Sequence, residues 1–234
     1  MKRSSEKEMM DWPDQPKELL ADGLHNLRII NHYLGSYRNV LRGLARLVDE
    51  EKLHRFTLLD VGTGSGDIPM VIVRWARRQQ IAAQISGLER EAATVEEAVD
   101  QTRSFPEITI VRGDGTAPPF CAGSFDFVLA SQFLHHFKDE QIIALLRTWA
   151  RLARRAIIVA DLVRHPVAYH GIRLLTHGFT HNPMTRFDAP LSVQRACTIS
   201  EWNRLLQRAN IGTLRIQRMF PFRMLALISP LSLR

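Results

Sequence analysis

The sequence predicts an α/β fold, a doubly wound, mostly parallel sheet with helices on both faces. Three observations lead to this prediction. The 234 residues are 45% hydrophobic, which is enough to fill one sizeable core. From residue 56 onward, short apolar runs alternate with segments of helical periodicity. The apolar runs are nearly continuous, which is typical of parallel strands that are covered on both faces.

Two helices are predicted ahead of this alternation. Residues 1–13 are polar, and we expect them to be frayed. From Pro16, apolar residues recur at helical spacing, and Gly35 separates a first helix from a second. Residues 1–50 are therefore predicted to form an N-terminal helical cap, and residues 51–234 the main domain.

The main domain is predicted to contain strands and helices in turn. Thr198 and Glu201 have capping-box spacing ahead of a last helix, and two strands close the chain. Residues 162–197 interrupt the rhythm and are predicted to form a helical lid insertion, because long insertions in compact domains are usually functional. The other predicted strands are FTLLDV from 56, AQISGLE from 83, EITIVRGD from 107, SFDFVLAS from 124 and RAIIVADLV from 155.

Charge and composition narrow the class of protein. The chain has 31 basic and 24 acidic residues, a net charge of +7 and a pI near 10.0, which is common among nucleic-acid binders. Its arginines are spread along helix-like segments without the aromatic residues that stack on bases, so solvated helix faces are favoured and a nucleic-acid partner is not expected. No apolar run reaches the roughly 20 residues that span a membrane, and two cysteines with a charged start favour the cytoplasm.

The strongest chemical signal is the segment DVGTGSG, residues 60–66, directly after the first predicted strand. Glycines allow a sharp turn and let a ligand lie against bare backbone, while the N–H groups of the next helix face any anion. Asp67 follows Gly66, so the GxGxxG pattern of dinucleotide-binding folds is not matched, and no phosphate-binding Gly-Lys-Ser/Thr follows. The segment predicts a ligand site of another kind, the alternative being a tight turn without a ligand.

Two carboxylates at strand ends predict that this ligand is a nucleoside. Glu89 ends the second strand, where it can accept both hydroxyls of a ribose that lies across the glycine turn. Asp114 and Gly115 end the third strand, where the carboxylate can accept from the exocyclic amine of a purine. Taken singly, Glu89 could be an ordinary surface acid and Asp114 part of an Asp-Gly turn.

Together these strand ends resemble the class I S-adenosylmethionine-dependent methyltransferases. LLDVGTGSGD is similar to their glycine motif, SGLE to their ribose acid, RGDG to their adenine acid, and SFDFVLASQFLHHF to their fourth strand and the helix after it. The resemblance covers about residues 56–162. It implies S-adenosylmethionine as the cofactor and a Rossmann-like sheet of seven strands in the order 3-2-1-4-5-7-6, with the terminal strand pair as its last two.

The resemblance also implies roles for individual residues. Arg38, in the second N-terminal helix, would pair with the methionine carboxylate, although plain packing with a solvated guanidinium is an alternative, as are Asn31 and Tyr33 in its place. Gly62, Thr63, Gly64 and Gly66 would face the methionine half, Glu89 the ribose, Asp114 and Gly115 the adenine, and Asp60, Arg90 and Ser131 would complete the cofactor site.

The histidines supply the candidate catalytic groups. His135 and His136 follow the fourth strand, and either could take a proton from a phenol or acidic carbon. We prefer His136; the alternative is that one histidine packs in the core and the other caps a turn. His177 and His181 have i, i+4 spacing but lack a matching cysteine or carboxylate, so no metal is expected.

The sequence thus predicts a methyltransferase that acts on an oxygen or carbon of a small, aromatic or lipophilic acceptor. The segment RFDAPLSVQRACT, from residue 186, resembles one found in bacterial small-molecule methyltransferases that act on quinone-like and polyketide-derived phenols. One alternative is an RNA methyltransferase, although ASQF at the end of the fourth strand lacks the Asn/Asp-Pro-Pro-Tyr/Phe pattern of nucleic-acid amino-methyltransferases. Another is a non-catalytic cofactor-binding module. Oligomeric state is left open.

Overall fold

The structure is a computed structural model that describes residues 1–12 and 15–230. Its seven strands form one sheet. The strands are β1 (Arg55–Val61), β2 (Ala82–Glu89), β3 (Ile108–Arg112), β4 (Phe125–Ser131), β5 (Ala153–Leu162), β6 (Gly212–Met219) and β7 (Arg223–Pro230). The helices are α1 (Lys17–Tyr33), α2 (Ser36–Glu50), α3 (Asp67–Arg78), α4 (Ala92–Thr102), α5 (Asp139–Leu152), α6 (Pro166–Phe179), α7 (Pro183–Arg195) and α8 (Ile199–Ala209), with short 3-10 turns at Met9–Asp11 and Leu134–His136.

The sheet has the predicted order, β3-β2-β1-β4-β5-β7-β6. Strands β1 to β5 pair in parallel, and β7 pairs antiparallel with both β5 and β6. The strand order reverses between β1 and β4, and ligands of such open sheets bind outside the carboxyl ends of the strands at this switch point. The fold therefore places the end of β1 and the end of β4 side by side at one crevice.

Helices cover both faces of the sheet and bury separate apolar clusters. On one face, Trp149 of α5 and Trp202 of α8 are fully buried. On the other, Leu44 of α2 and Ile72 of α3 are fully buried. All seven residues of β4, in the middle of the sheet, are buried. This two-sided burial explains why the strands are apolar throughout their length.

The N-terminal helices agree with their sequence pattern. Gly35 lies between α1 and α2 with a φ of +80°, in the left-handed region that favours glycine. The predicted insertion holds two helices, and Asn182 begins the second by accepting a hydrogen bond from the N–H of Thr185 at 2.9 Å. No helix in the two described ranges is long and apolar enough to cross a membrane.

The prediction that residues 1–13 are frayed is wrong for residues 1–12. The N–H of Ser4 donates to the carbonyl of Gln194 at 3.2 Å, and Arg3 forms an ion pair with Asp139 at 2.5 Å. Glu8 is only 2% exposed. This N-terminal segment docks because its charged side chains find partners on α5, α7 and the turn after β4, none of which are near it in sequence.

Candidate functional site

A cavity of about 210 Å³ opens at the carboxyl ends of β1 to β4; we call it the main cavity. It brings together residues that are far apart in sequence, and His136, in the turn after β4, is among its lining residues. Three predicted cofactor residues, Asp60, Gly66 and Arg38, are not among its lining residues. The predicted cofactor residues that do line it are Gly62, Thr63, Gly64, Glu89, Arg90, Asp114, Gly115 and Ser131.

The glycine turn after β1 contains three glycines that all have positive φ but differ in their surroundings. A Cβ on Gly62 would collide with the ring of Phe133, and one on Gly66 would lie 2.7 Å from a methyl group of Thr102. These two glycines permit close packing of the chain. A Cβ on Gly64 would meet no atom within 4 Å. Gly64 therefore presents bare main chain to the main cavity.

Asp60 stabilises this glycine turn through a hydrogen bond. Its carboxylate is buried and accepts a hydrogen bond from the hydroxyl of Thr63 at 2.7 Å. Burial raises the pKa of Asp60 to about 7; the negative charges of Asp67 and Glu89 add to this effect, and the Thr63 hydrogen bond opposes it. Asp60 thus shapes the site without lining it.

Glu89 bridges the end of β2 and the glycine turn. One carboxylate oxygen accepts from the N–H groups of Arg90 and Glu91 at 2.8 and 3.1 Å, and the other accepts from the N–H of Gly64 at 3.2 Å. Burial raises the pKa of Glu89, and the three N–H groups oppose that rise. The carboxylate is fixed in place and keeps about one lone pair for a further donor such as a ribose hydroxyl.

The residues after β3 form a turn that also lines the main cavity. One Asp114 oxygen accepts from the N–H of Thr116 at 2.7 Å, the hydrogen bond of an Asx turn. The carbonyl of Gly115 accepts from the indole N–H of Trp149 at 3.0 Å. The alternative interpretation, that Asp114 is part of an Asp-Gly turn, is confirmed. This turn also places Asp114 at the main cavity. Buried Trp149 anchors it from α5.

A polar network that the sequence did not predict lies between the glycine turn and α1. Asp67 accepts hydrogen bonds from the side chains of Asn31 at 3.1 Å and Tyr37 at 2.9 Å. Gln132 donates to the Asn31 side-chain oxygen at 2.5 Å and has a φ of +52°, a conformation rare outside glycine and concentrated at functional sites. Burial and the Asp67 charge raise the pKa of Tyr37. The sequence could have indicated Asp67 and Gln132 by their position, because each directly follows a segment at a strand end.

The placement of Arg38 at the cofactor site is wrong. Its guanidinium donates to the carbonyl of Phe220 at 3.3 Å, in the turn between β6 and β7. Arg28 of α1 lines the main cavity instead, beside Glu97 at 3.2 Å. The chain changes direction at the left-handed residue Gly35. Of the two N-terminal helices, only α1 supplies residues that line the main cavity.

His135 and His136 sit under the N-terminal segment. His135 is buried, with Nδ1 2.7 Å from Asp161 and Nε2 3.6 Å from Glu8. His136 has Nδ1 2.9 Å from Asp11 and Nε2 3.8 Å from the other oxygen of Glu8. Burial lowers the pKa of His135, but Asp161 and Glu8 outweigh it and raise that pKa to about 9. The sequence paired neither histidine with a carboxylate, since all three partner residues lie at least 26 positions away in the chain.

A second cavity, of about 70 Å³, adjoins the main cavity. It lies between the N-terminal segment, α1 and α7, and both cavities are lined by Met10, Gln132 and His136. Glu8 and His135 line the second cavity only. His136 is therefore the histidine that lines both cavities.

Comparison with known proteins agrees with this geometry. Residues 58–156 match the family described as "Methyltransferase domain". This part of the chain is therefore similar to methyltransferase domains. A nocamycin O-methyltransferase from Saccharothrix syringae is 35% identical over 122 residues, which cover 50% of this chain and 40% of that protein. The chain thus spans well under two thirds of the length of this curated relative.

Solved structures share the fold of the methyltransferase domain at low sequence identity. Human N-acetylserotonin methyltransferase in complex with SAM is 18% identical, with a TM-score of 0.65 over 92% of this chain and 56% of that one. A SAM-dependent methyltransferase from Aquifex aeolicus is 13% identical, with a TM-score of 0.64 over 90% and 98%. Magnesium protoporphyrin IX methyltransferase from Synechocystis, with bound SAH, is 17% identical, with a TM-score of 0.58 over 85% and 84%.

The matched residues of the methyltransferase domain contain the glycine turn, both strand-end acids and the two histidines. The carboxylates that face the histidines lie outside the match, in the N-terminal segment and at the end of β5. Arg195 of α7 also lies outside it and donates to the carbonyl of His136 at 2.8 Å. The carboxylates and the arginine around the two histidines thus come from parts of this chain that the domain match does not include.

Proposed function

We propose that this chain is an S-adenosylmethionine-dependent methyltransferase that acts on an oxygen or carbon of a small acceptor. The observation that carries the proposal is a single cavity lined by the glycine turn, Glu89 and Asp114 and also by His136. A cofactor at the strand ends and an acceptor near His136 would then meet inside one cavity. The likeness to an O-methyltransferase favours oxygen as the methylated atom.

The residues at the strand ends fit the cofactor. Gly64 offers bare main chain, and Glu89 has about one lone pair free for a ribose hydroxyl. The hydroxyl of Ser131 is buried at the cavity wall and has no hydrogen-bond partner among the described residues, which is costly unless a ligand pairs with it. Asn31 and Arg28 are the polar groups placed to hold the methionine half, and Asp114 the adenine.

When bound, the cofactor supplies a methyl group on a sulfonium, which is already a strong electrophile. The chain then has to orient the acceptor in line with that methyl group and keep water away. Phe133 and Phe137, with the leucines of α1, make the cavity wall apolar, and the N-terminal segment covers it through Met10 and Asp11. His136 is the polar side chain at this end that would contact the acceptor oxygen.

The surface charge supports a small acceptor over RNA. Arg77 pairs with Glu107 at 2.7 Å, and Arg154 and Arg155 both pair with Asp126, at 3.2 and 3.1 Å. These arginines are engaged in surface ion pairs and do not form an open basic stripe. An apolar cavity of about 210 Å³, covered by its own N-terminal segment, suits a lipophilic molecule.

The test combines binding with transfer. We expect calorimetry to show that S-adenosylhomocysteine binds the purified chain at one site. S-adenosylmethionine with a labelled methyl group should then transfer label to one or more members of a panel of phenols, enols and quinols, and not to total RNA. Absence of cofactor binding would contradict the whole proposal, and label found in RNA alone would contradict the choice of a small acceptor.

A further inference from the structure

Three side chains beneath the N-terminal segment are arranged in a way that the proposed methyl transfer does not explain. Glu8, His135 and His136 each offer one atom, and the three atoms lie within 4.8 Å of one another. The Glu8 carboxylate is 2% exposed, and its Oε1 has no hydrogen-bond partner among the described residues. A buried carboxylate oxygen without a partner is costly. This oxygen lies 3.6 Å from Nε2 of His135, and the other Glu8 oxygen lies 3.8 Å from Nε2 of His136.

In each imidazole, the hydrogen bond at Nδ1 determines whether Nε2 carries a hydrogen. Nδ1 of His135 is held by Asp161 at 2.7 Å, and Nδ1 of His136 by Asp11 at 2.9 Å. A carboxylate at Nδ1 fixes the hydrogen on that nitrogen and leaves Nε2 with a lone pair in the neutral ring. Both Nε2 atoms face Glu8, so with neutral rings lone pairs would meet lone pairs. Positive charge relieves this contact, whether it is a proton on Nε2 of His135, whose pKa is raised to about 9, the Arg195 guanidinium 3.9 Å from Oε1, or a cation bound between the three side chains.

From this arrangement we infer that Glu8, His135 and His136 form a binding site for a divalent transition-metal ion, with zinc as the reference ion. Two imidazoles and one carboxylate are a known ligand set for catalytic zinc, and carboxylates on the remaining ring nitrogens are the usual outer partners of zinc-bound histidines. Zinc–ligand bonds of about 2.0–2.2 Å place tetrahedral ligand atoms about 3.3–3.5 Å apart. Nε2 of His135 and Nε2 of His136 lie 3.6 and 3.8 Å from different oxygens of Glu8, and the three ligand atoms lie within 4.8 Å of one another, so the side chains would move closer together on binding zinc.

The surrounding charge favours a cation. The carboxylates in and around the cluster are those of Glu8, Asp11, Asp161 and Asp188, and the guanidiniums that act on them are those of Arg195 and Arg223. Acids therefore outnumber bases in a buried region, where charge interactions are strong. A doubly charged ion would offset this excess at the one point where three ligand atoms converge.

The site would leave one ligand position toward the cavities. Glu8 and both histidines line the second cavity, and His136 also lines the main cavity. An ion there would bind an acceptor oxygen and stabilise its deprotonated form as a Lewis acid. The acceptor class would then be one with a hydroxyl beside a second oxygen, such as a catechol or an enolised diketone. This statement about the acceptor rests on the proposed function; the metal site does not.

Calorimetric titration of the metal-stripped full chain with zinc chloride, without cofactor, tests the site. We expect one zinc ion per wild-type chain and at least tenfold weaker binding by Glu8→Gln, which removes the charge with little change in size. Glu6→Gln is the matched control, because Glu6 lies in the same segment and is exposed. The double variant His177→Ala with His181→Ala removes the surface histidine pair and should bind zinc as the wild type does.

X-ray absorption of the zinc-loaded chain gives an independent readout, and we expect it to show two imidazole nitrogens on the metal. The inference is overturned if wild type shows no saturable zinc binding, if Glu8→Gln binds zinc as tightly as wild type, or if binding is lost only in the His177/His181 variant. Binding of S-adenosylhomocysteine is measured on the same proteins. Failure of the metal site therefore stays distinct from failure of the proposed methyltransferase activity.

Discussion

Gly64 is the residue at which bare main chain faces the main cavity. Its φ is +55°, and a Cβ there would meet no protein atom. A side chain at this position would therefore occupy space in the main cavity without disturbing the packing of the turn. We expect Gly64→Leu to lower the affinity for S-adenosylhomocysteine at least tenfold in calorimetry, while the chain stays folded.

The control for Gly64→Leu must carry the same backbone strain. Gly123 also has positive φ, at +65°, lies far from the main cavity, and has room for a side chain, with Arg154 3.8 Å from a built Cβ. Both leucine variants should lose about 1–2 kcal/mol of unfolding free energy from the left-handed conformation. Equal cofactor affinity for Gly64→Leu and Gly123→Leu would remove Gly64 from the site.

Asp60 predicts a pH dependence of stability whose sign follows from its burial. Burial raises its pKa to about 7, against about 3.9 in an unfolded chain. Folding therefore favours the protonated acid, and its contribution to stability is full below about pH 4 and lost as the pH rises to 7. Asp60→Asn does not titrate. The unfolding free energy of wild type minus that of this variant should fall by up to about 4 kcal/mol between about pH 4 and 7, and level off above.

Asp126 supplies a control of opposite sign for the Asp60 measurement. Burial raises its pKa, but hydrogen bonds from Arg154, the N–H of Thr57 and Arg155 outweigh burial and lower it. Its contribution is present above the unfolded pKa and lost as the pH falls below about 4. The stability difference between wild type and Asp126→Asn should therefore be flat from about pH 5 to 7. A falling curve in that range for both variants would point to general electrostatics and not to Asp60.

At the scale of elements, the sequence predicted what local chemistry determines. The strands were recognisable because a sheet covered on both faces needs continuous apolar runs, as all seven buried residues of β4 show. The break between α1 and α2 was recognisable because a left-handed residue is nearly always glycine, and Gly35 has a φ of +80°. The capping box of Thr198 and Glu201 is present at the start of α8.

The elements that the sequence did not predict are those set by contacts between distant segments. Nothing in residues 1–12 is periodic, yet Glu8 is buried because His135 and His136 lie above β4 with nitrogens that face it. The direction of Arg38 depends on the path of the chain after Gly35, which residue types do not determine. Local patterns therefore predicted the strand-end residues that line the main cavity, while the surroundings of the two histidines depend on tertiary packing.

At the scale of the whole molecule, the main cavity couples parts of the chain that are far apart in sequence. Its lining residues come from the N-terminal segment, α1, the glycine turn and the ends of β2, β3 and β4. None of these parts encloses the space alone. A ligand that fills the cavity would contact several of them at once, so its binding energy should stabilise the fold as a unit and order the cover on the cavity.

We therefore expect S-adenosylhomocysteine at 100 times its Kd to add about 2.7 kcal/mol to the unfolding free energy, and to raise the Tm by roughly 5–11 °C for a chain of this size. Hydrogen exchange should slow at residues 62–66, and also in α1 and around Met10, because Leu20, Leu24 and Met10 line the same cavity. Gly64→Leu should show neither effect at the same ligand concentration. A raised Tm with unchanged exchange in α1 and residues 1–12 would show that these parts do not close over the ligand.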